Sequence, residues 1–198
     1  MSADVLGWIA SAVFLVRLVP QPIKLWRTGV PEGLSAMAAL NGVISDVGWV
    51  LYGFSVALVP VWAVSVASLV PTVATAGLLL VTTRKVSRPD LIGSAIWLLS
   101  VAVAWKLGTL VTVLGLSVVV NHGPQVVAAV RERDLRGISA STYLIALADA
   151  GLWGTYGLAV SDPALIAYGV VLLTAALIIL GRIWWTQRGG EVALAYSS

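Results

Sequence analysis

The sequence predicts an all-α integral membrane protein with seven transmembrane helices, built as two parallel three-helix bundles joined by a linker helix. Composition is the first of three observations behind this. The 198 residues are 59% hydrophobic and only 11% charged, with a mean hydropathy of +0.97, whereas soluble domains carry about 25% charged residues. The second is a stretch of 35 residues that the chain states twice. The third is the placement of Lys and Arg along the chain.

The two copies are VPQPIKLWRTGVPEGLSAMAALNGVISDVGWVLYG (19–53) and GPQVVAAVRERDLRGISASTYLIALADAGLWGTYG (123–157). Aligned without a gap, at a constant offset of 104 residues, Pro20 meets Pro124, Gln21 meets Gln125 and Gly33 meets Gly137. Ser35 then meets Ser139, Trp49 meets Trp153, Tyr52 meets Tyr156 and Gly53 meets Gly157. Self-similarity at a fixed offset is the mark of a structural repeat.

Seven apolar segments have membrane-spanning length. The expected spans are 5–27, 34–54, 60–82, 90–106, 109–130, 138–159 and 163–186. Only Lys106-Leu107-Gly108 separates the fourth from the fifth, which leaves a six-helix reading with one long broken segment open. Lys24, Arg27, Arg84, Lys85, Arg88, Arg131, Arg133, Arg136, Arg182 and Arg188 share one side if the chain crosses seven times. Lys106 alone falls on the other side, and Arg17 lies within the first span. The positive-inside bias then puts the N-terminus outside and the C-terminus in the cytoplasm. It also explains the pI near 9.5 as anchoring to anionic headgroups, so membrane lipid is an expected partner and nucleic acid is not. With no basic region before the first apolar run, a cleaved signal peptide is not expected. A bacterial plasma membrane is the expected location.

Three crossings reverse direction, so one extra helix is needed for a second triplet to run parallel to the first. The expected organisation is a first bundle at 1–88, an inversion linker at 89–108, a second bundle at 109–187 and a cytoplasmic tail at 188–198. Charge placement independently puts both Pro-Gln pairs at cytoplasmic ends.

With these residues on the page, the chain resembles the SWEET and SemiSWEET sugar transporters of the PQ-loop clan. The resemblance covers nearly the whole chain in its seven-helix 3+1+3 form. It is most specific from EGLSAM to GWVLYG and from RGISAS to LWGTYG, where Gly and Trp keep a spacing of 16 in both copies. It implies a pore between two bundles that opens alternately to either side. It also implies a sugar held near the bilayer centre between Trp49 and Trp153, with Ser45 and Asp149 one turn earlier facing the pocket. Family members usually add an Asn on the third helix of each bundle. The matching windows here, Ser65 to Ser68 and Ala167 to Gly169 (with Tyr168 between), hold none. The family's proline early in each second helix is replaced by Ala38 and Thr142. Cystine-transporting PQ-loop proteins carry an Asp where this chain has Asn41, and a neutral Asn argues against proton coupling at that position.

Proline removes a backbone donor and kinks a helix. Pro20 and Pro124, with Gln21 and Gln125 to bond the freed carbonyls, are therefore expected as hinges of an inner gate; a fixed kink is the bland reading. Six of the nine Trp (Trp8, Trp26, Trp62, Trp105, Trp184 and Trp185) fit interfacial belts, and Trp97 is expected to pack or face lipid. Tyr52 and Tyr156, with Asp162, are candidates for an outer gate as much as for an interfacial belt.

Ionisable groups within a membrane are costly and are functional candidates by default. Arg17, Asp46, His122 and Asp149 lie within expected spans. Arg17 paired to Asp46 or Asp149 would be structural, whereas an unpaired Asp149 would take up protons; His122 is a second proton candidate or a helix–helix hydrogen bond. Asn41 and Asn121 are candidate sugar contacts or interhelical glue, and Ser65, Ser68 and Tyr168 complete the candidate pocket.

Zero Cys, one His and no metal-ligand spacing leave no visible nucleophile, metal site or cofactor site, so an enzyme is not expected. The leading reading is a facilitative uniporter of a small sugar. A proton-linked carrier of an amino acid or other polar metabolite, and a non-transporting receptor of the same fold, are the alternatives. A homo-oligomer is compatible with each.

Overall fold

A computed structural model describes residues 2–29, 35–83, 86–131 and 140–195, without the side chains of Asn121, His122, Pro124, Gln125, Ala128, Arg131 and residues 187–195. Among the described residues the protein is all helical. The helices are α1 (Ala3–Leu18), α2 (Pro20–Thr28), α3 (Ala36–Ser55), α4 (Val59–Thr83), α5 (Arg88–Leu107), α6 (Leu110–Gly115), α7 (Ser117–Arg131), α8 (Ala140–Ala159) and α9 (Pro163–Ala195).

Five of these segments are long and apolar enough to cross a membrane: α1 with α2, α3, α4, α5 and the first 24 residues of α9. Seven were expected. The two that fall short have physical reasons. Leu116 interrupts the 109–130 segment between α6 and α7, and α8 carries Ser141, Thr142, Asp149 and Thr155 along an otherwise apolar stretch.

Helix ends follow local chemistry. Ser2 and Ser35 accept bonds from the amides of Val5 and Ala38 at the starts of α1 and α3. Ser87 and Asp90 form a reciprocal capping box on α5. Gly108, with φ of 68°, ends α5, and the Thr109 amide donates back to the Ala104 carbonyl at 2.8 Å. That pairing closes a left-handed helix end, so the chain breaks where only three residues separated two expected spans. At the other extreme, α9 continues to Ala195, through residues expected to begin a tail.

The repeat is geometric as well as sequential. α3 and α8 have the same bounds at the 104-residue offset, and α4 and α9 start at equivalent residues. Ala57 and Ser161, also equivalent, are the two non-glycine residues with positive φ among the described residues, both 56°. The connection is reproduced bond for bond: Leu58 N–H donates to Gly53 at 2.9 Å, and Asp162 N–H to Gly157 at 2.8 Å. Gly53 and Gly157 allow the tight return. A Cβ on them would sit 2.7 Å from the Trp62 amide nitrogen and 2.8 Å from that of Ile166.

Packing obeys the same symmetry. α3 lies against α4, and α8 against α9. α1 packs on α4 and crosses to α8, while α6 and α7 pack on α9 and reach α3. Each half therefore lends its first helix to the other half's second. α5 lies outside this frame, against α3 and α6. A buried apolar cluster that includes Leu6, Ala10, Tyr52, Leu110, Leu114, Tyr156 and Leu165 fills one end of the interface. The other end, toward Pro20, is less filled.

Candidate functional site

Between the two halves lies a cavity of about 350 Å³. Trp49, Trp153, Val61, Val64 and Leu165 line it beside the buried cluster, and Gln21 and Thr142 line it as exposed residues toward the Pro20 end. It therefore narrows at the packed end and opens at the Pro20 end. Its lining repeats with the chain: Ala38 with Thr142, Gly42 with Ala146, Trp49 with Trp153, Val64 with Tyr168. Each pair is set by one face of α3 and α8, or of α4 and α9, since residues three or four apart share a helix face.

The two Trp rings are built alike. Each makes an edge-to-face contact with the Tyr one turn later, Trp49 with Tyr52 and Trp153 with Tyr156, both at 5.8 Å between centroids. Trp49 also meets Tyr168 of the second half edge-on at 5.8 Å. Such contacts hold the rings rigid at the cavity wall.

The charged centre does not repeat. Arg17 on α1 lines the cavity and approaches Asp149 on α8, Nη1 to Oδ2 at 3.2 Å. Its Nη2 donates to the Tyr168 hydroxyl at 3.2 Å, and that hydroxyl donates to Asp149 Oδ2 at 3.3 Å. Arg17, Tyr168 and Asp149 thus tie the two halves together. Asp149 is fully buried, behind the lining rather than on it. Among the described residues its Oδ1 has no hydrogen-bond partner, and Arg17 Nη1 has only the ion-pair contact with Oδ2. Of the two partners open to Arg17, the fold selects Asp149, because α1 crosses to α8 rather than packing on α3.

Asp46, also on the cavity, is buried and forms no ion pair with a described residue. Its Oδ2 lies 2.8 Å from the Thr72 hydroxyl. Ser45 lines the cavity, but its hydroxyl accepts from the Trp97 indole N–H at 3.0 Å. Trp97 is thus a buried bond from α5 to α3, not only packing or lipid contact. Ser65 lies on the lining with its hydroxyl donating to the Val61 carbonyl.

Asn41 and Ser68 are buried but outside the lining, with Ser68 donating to the Ser65 carbonyl. At the packed end Tyr52 donates to Asp162 Oδ2 at 2.5 Å, joining the two halves, and Asp162 Oδ1 caps α9 at the Leu165 amide. Tyr156 is buried in the same cluster.

Pro20 begins α2, and the break at Val19 sits beside it. Pro124 lies inside α7, whose break from α6 is at Leu116, so the two kinks are not equivalent. The side chains of Asn121, His122, Pro124 and Gln125 lie outside the described residues. Sequence reasoning missed Pro71, which lies inside the continuous helix α4 on the cavity wall. A proline in the middle of an apolar run was the signal. The six Trp assigned to interfaces are exposed or half-buried.

Residues 3–62 match the family model described as PQ loop repeat. The match covers the first copy through α3 and supports kinship with PQ-loop proteins. No curated protein matches the chain.

Proposed function

We propose that the protein is an alternating-access carrier of a small sugar, in a state whose cavity opens toward the Pro20 end. The observation that carries this reading is the cavity between two repeated halves, with equivalent Trp49 and Trp153 on its wall. Its volume of about 350 Å³ lies at the low end of the range for small-molecule sites, as a monosaccharide requires. The PQ-loop match favours a transporter or receptor over an enzyme. In this proposal α6 with α7, and α8, also cross the membrane, because each packs as the counterpart of a helix in the first half. The Lys and Arg bias makes the Pro20 end cytoplasmic, so the state is inward-open. The Tyr52–Asp162 bond and the cluster around it form the closed outer gate.

Counterflow of labelled glucose in proteoliposomes tests this, since exchange needs no ion gradient. Saturable counterflow that is lost in Trp153→Ala supports a sugar carrier; its absence with both glucose and sucrose rejects the sugar. A second reading, a carrier of an amino acid, draws on Arg17 and Asp46 facing one cavity with opposite charge. Uptake of amino acids across a pH step in the same vesicles separates the two.

A further inference from the structure

We propose that Asp46 is a proton-binding site, and that the Thr72 hydroxyl switches its hydrogen bond as the proton enters and leaves. The site stands apart from the identity of the cargo.

The seam between α3 and α4 differs from its repeat at the residues that matter. The second half packs Ala150, Leu172 and Ala176 together as a buried apolar cluster between α8 and α9. At the equivalent positions the first half places Asp46, Ser68 and Thr72. One backbone arrangement is thus served by three apolar side chains in one copy and three polar ones in the other. The fold does not demand the carboxylate. A buried acid that packing does not need, on the wall of a cavity within an apolar helical bundle, is costly unless it has a partner.

The geometry supplies two partners for one proton. Thr72 Oγ1 lies 2.8 Å from Asp46 Oδ2 and 2.8 Å from the Ser68 carbonyl oxygen. A hydroxyl has a single hydrogen to donate, so it serves one of these oxygens at a time. With Asp46 ionised, Thr72 donates to the carboxylate. With Asp46 protonated, the acid donates to Thr72 Oγ1, and Thr72 donates to Ser68. Both arrangements fit the same heavy-atom positions, so a proton arriving through the cavity is accommodated by rotating one hydroxyl.

The charged neighbours do not remove the need for that proton. α4 carries no ionisable residue, and those of α5 (Arg88, Asp90 and Lys106) lie at its ends. Arg17 faces the same cavity from α1 and acts on Asp46 through space, its guanidinium being held by Asp149 and Tyr168. Tyr143 on α8 and Tyr168 on α9 also line the cavity; α6 has no ionisable residue, and α7 contributes His122 and Arg131, whose side chains are not described.

Infrared difference spectroscopy of the purified protein in lipid, titrated from acidic to mildly alkaline pH, reads a protonated carboxyl directly. The expected result is a carboxylic-acid carbonyl band at acidic pH that vanishes as the pH rises. It should be lost in Asp46→Asn, kept in Asp149→Asn and shifted to higher frequency in Thr72→Val, where the acceptor is gone. Superimposable wild-type and Asp46→Asn spectra would overturn the proposal. So would a band that follows Asp149 instead, or one that Thr72→Val leaves in place, which covers the case of an Asp46 variant that does not fold. None of these readings depends on glucose counterflow, so sugar transport and the proton site can fail separately.

Discussion

Arg17 and Asp149 show what a charge inside a membrane protein requires. Each would be costly alone; Asp149 is fully buried, Arg17 is partly buried against it, and Tyr168 bonds to both. Removing one partner of a buried pair costs about 3–5 kcal/mol, because the survivor is left uncompensated, whereas removing both is far milder. Arg17→Leu and Asp149→Leu should therefore each lower the melting temperature sharply, and the double variant should recover much of the loss. Additive losses would mean that the contact carries no coupling. The Trp97–Ser45 bond is smaller in scale. Trp97→Phe keeps most of the ring and loses a neutral hydrogen bond, so about 1 kcal/mol of stability should go. Ser45→Ala should cost a similar amount, and adding it to Trp97→Phe should cost little more. Neither partner choice was legible from periodicity alone. The 3.6-residue repeat gives the face a residue occupies, but not which helix of the other half that face meets.

At the scale of elements, the connections at Gly53 and Gly157 make a paired prediction. Alanine at either would press a Cβ into the backbone of the next helix, so α3 must shift from α4, or α8 from α9. Gly53→Ala and Gly157→Ala should destabilise by comparable amounts, on the order of 1–3 kcal/mol, as overpacked sites do; a large difference in their melting temperatures would contradict the equivalence of the turns. This part of the fold was readable from sequence, because Trp-x-x-Tyr-Gly repeats in register and the turn after it needs close backbone approach. The hinges were less readable. Pro20 cannot donate to the Val16 carbonyl, and the helix breaks beside it, but Pro124 continues within α7 and the second break falls at Leu116. The two helix breaks are therefore not matched: one lies beside Pro20 and the other at Leu116. Pro20→Ala should slow labelled-substrate exchange more than it weakens binding, and an unchanged exchange rate would reject a hinge at Val19.

For the whole molecule, the packed end and the open end define a direction of motion. If Tyr52 and Asp162 hold the packed end shut, Tyr52→Phe weakens a charge-assisted bond of about 1.5–3 kcal/mol. The population should move toward the opposite opening. The chain has no native Cys, so a Leu6→Cys reporter within the cluster reads that shift cleanly. Its labelling by a membrane-impermeant maleimide should rise several-fold in the Tyr52→Phe background, and equal labelling would show that the bond is not a gate. The likeness of α3 and α4 to α8 and α9 was visible in sequence because the two copies align without a gap. The number of spans was less so: Ser141, Thr142, Asp149 and Thr155 lower the hydropathy of α8, and Leu116 breaks the 109–130 stretch.

The charged centre also bears on how such a chain could be divided. Arg17 has Asn121 as its equivalent, and Asp149 has Ser45. Two copies of the first half would face Arg17 with Ser45, and two copies of the second would face Asn121 with Asp149. Neither self-assembled dimer contains the ion pair. Split into two polypeptides, the halves should find each other rather than themselves, and the asymmetry that follows duplication then acts as a lock against reverting to a symmetric ancestor.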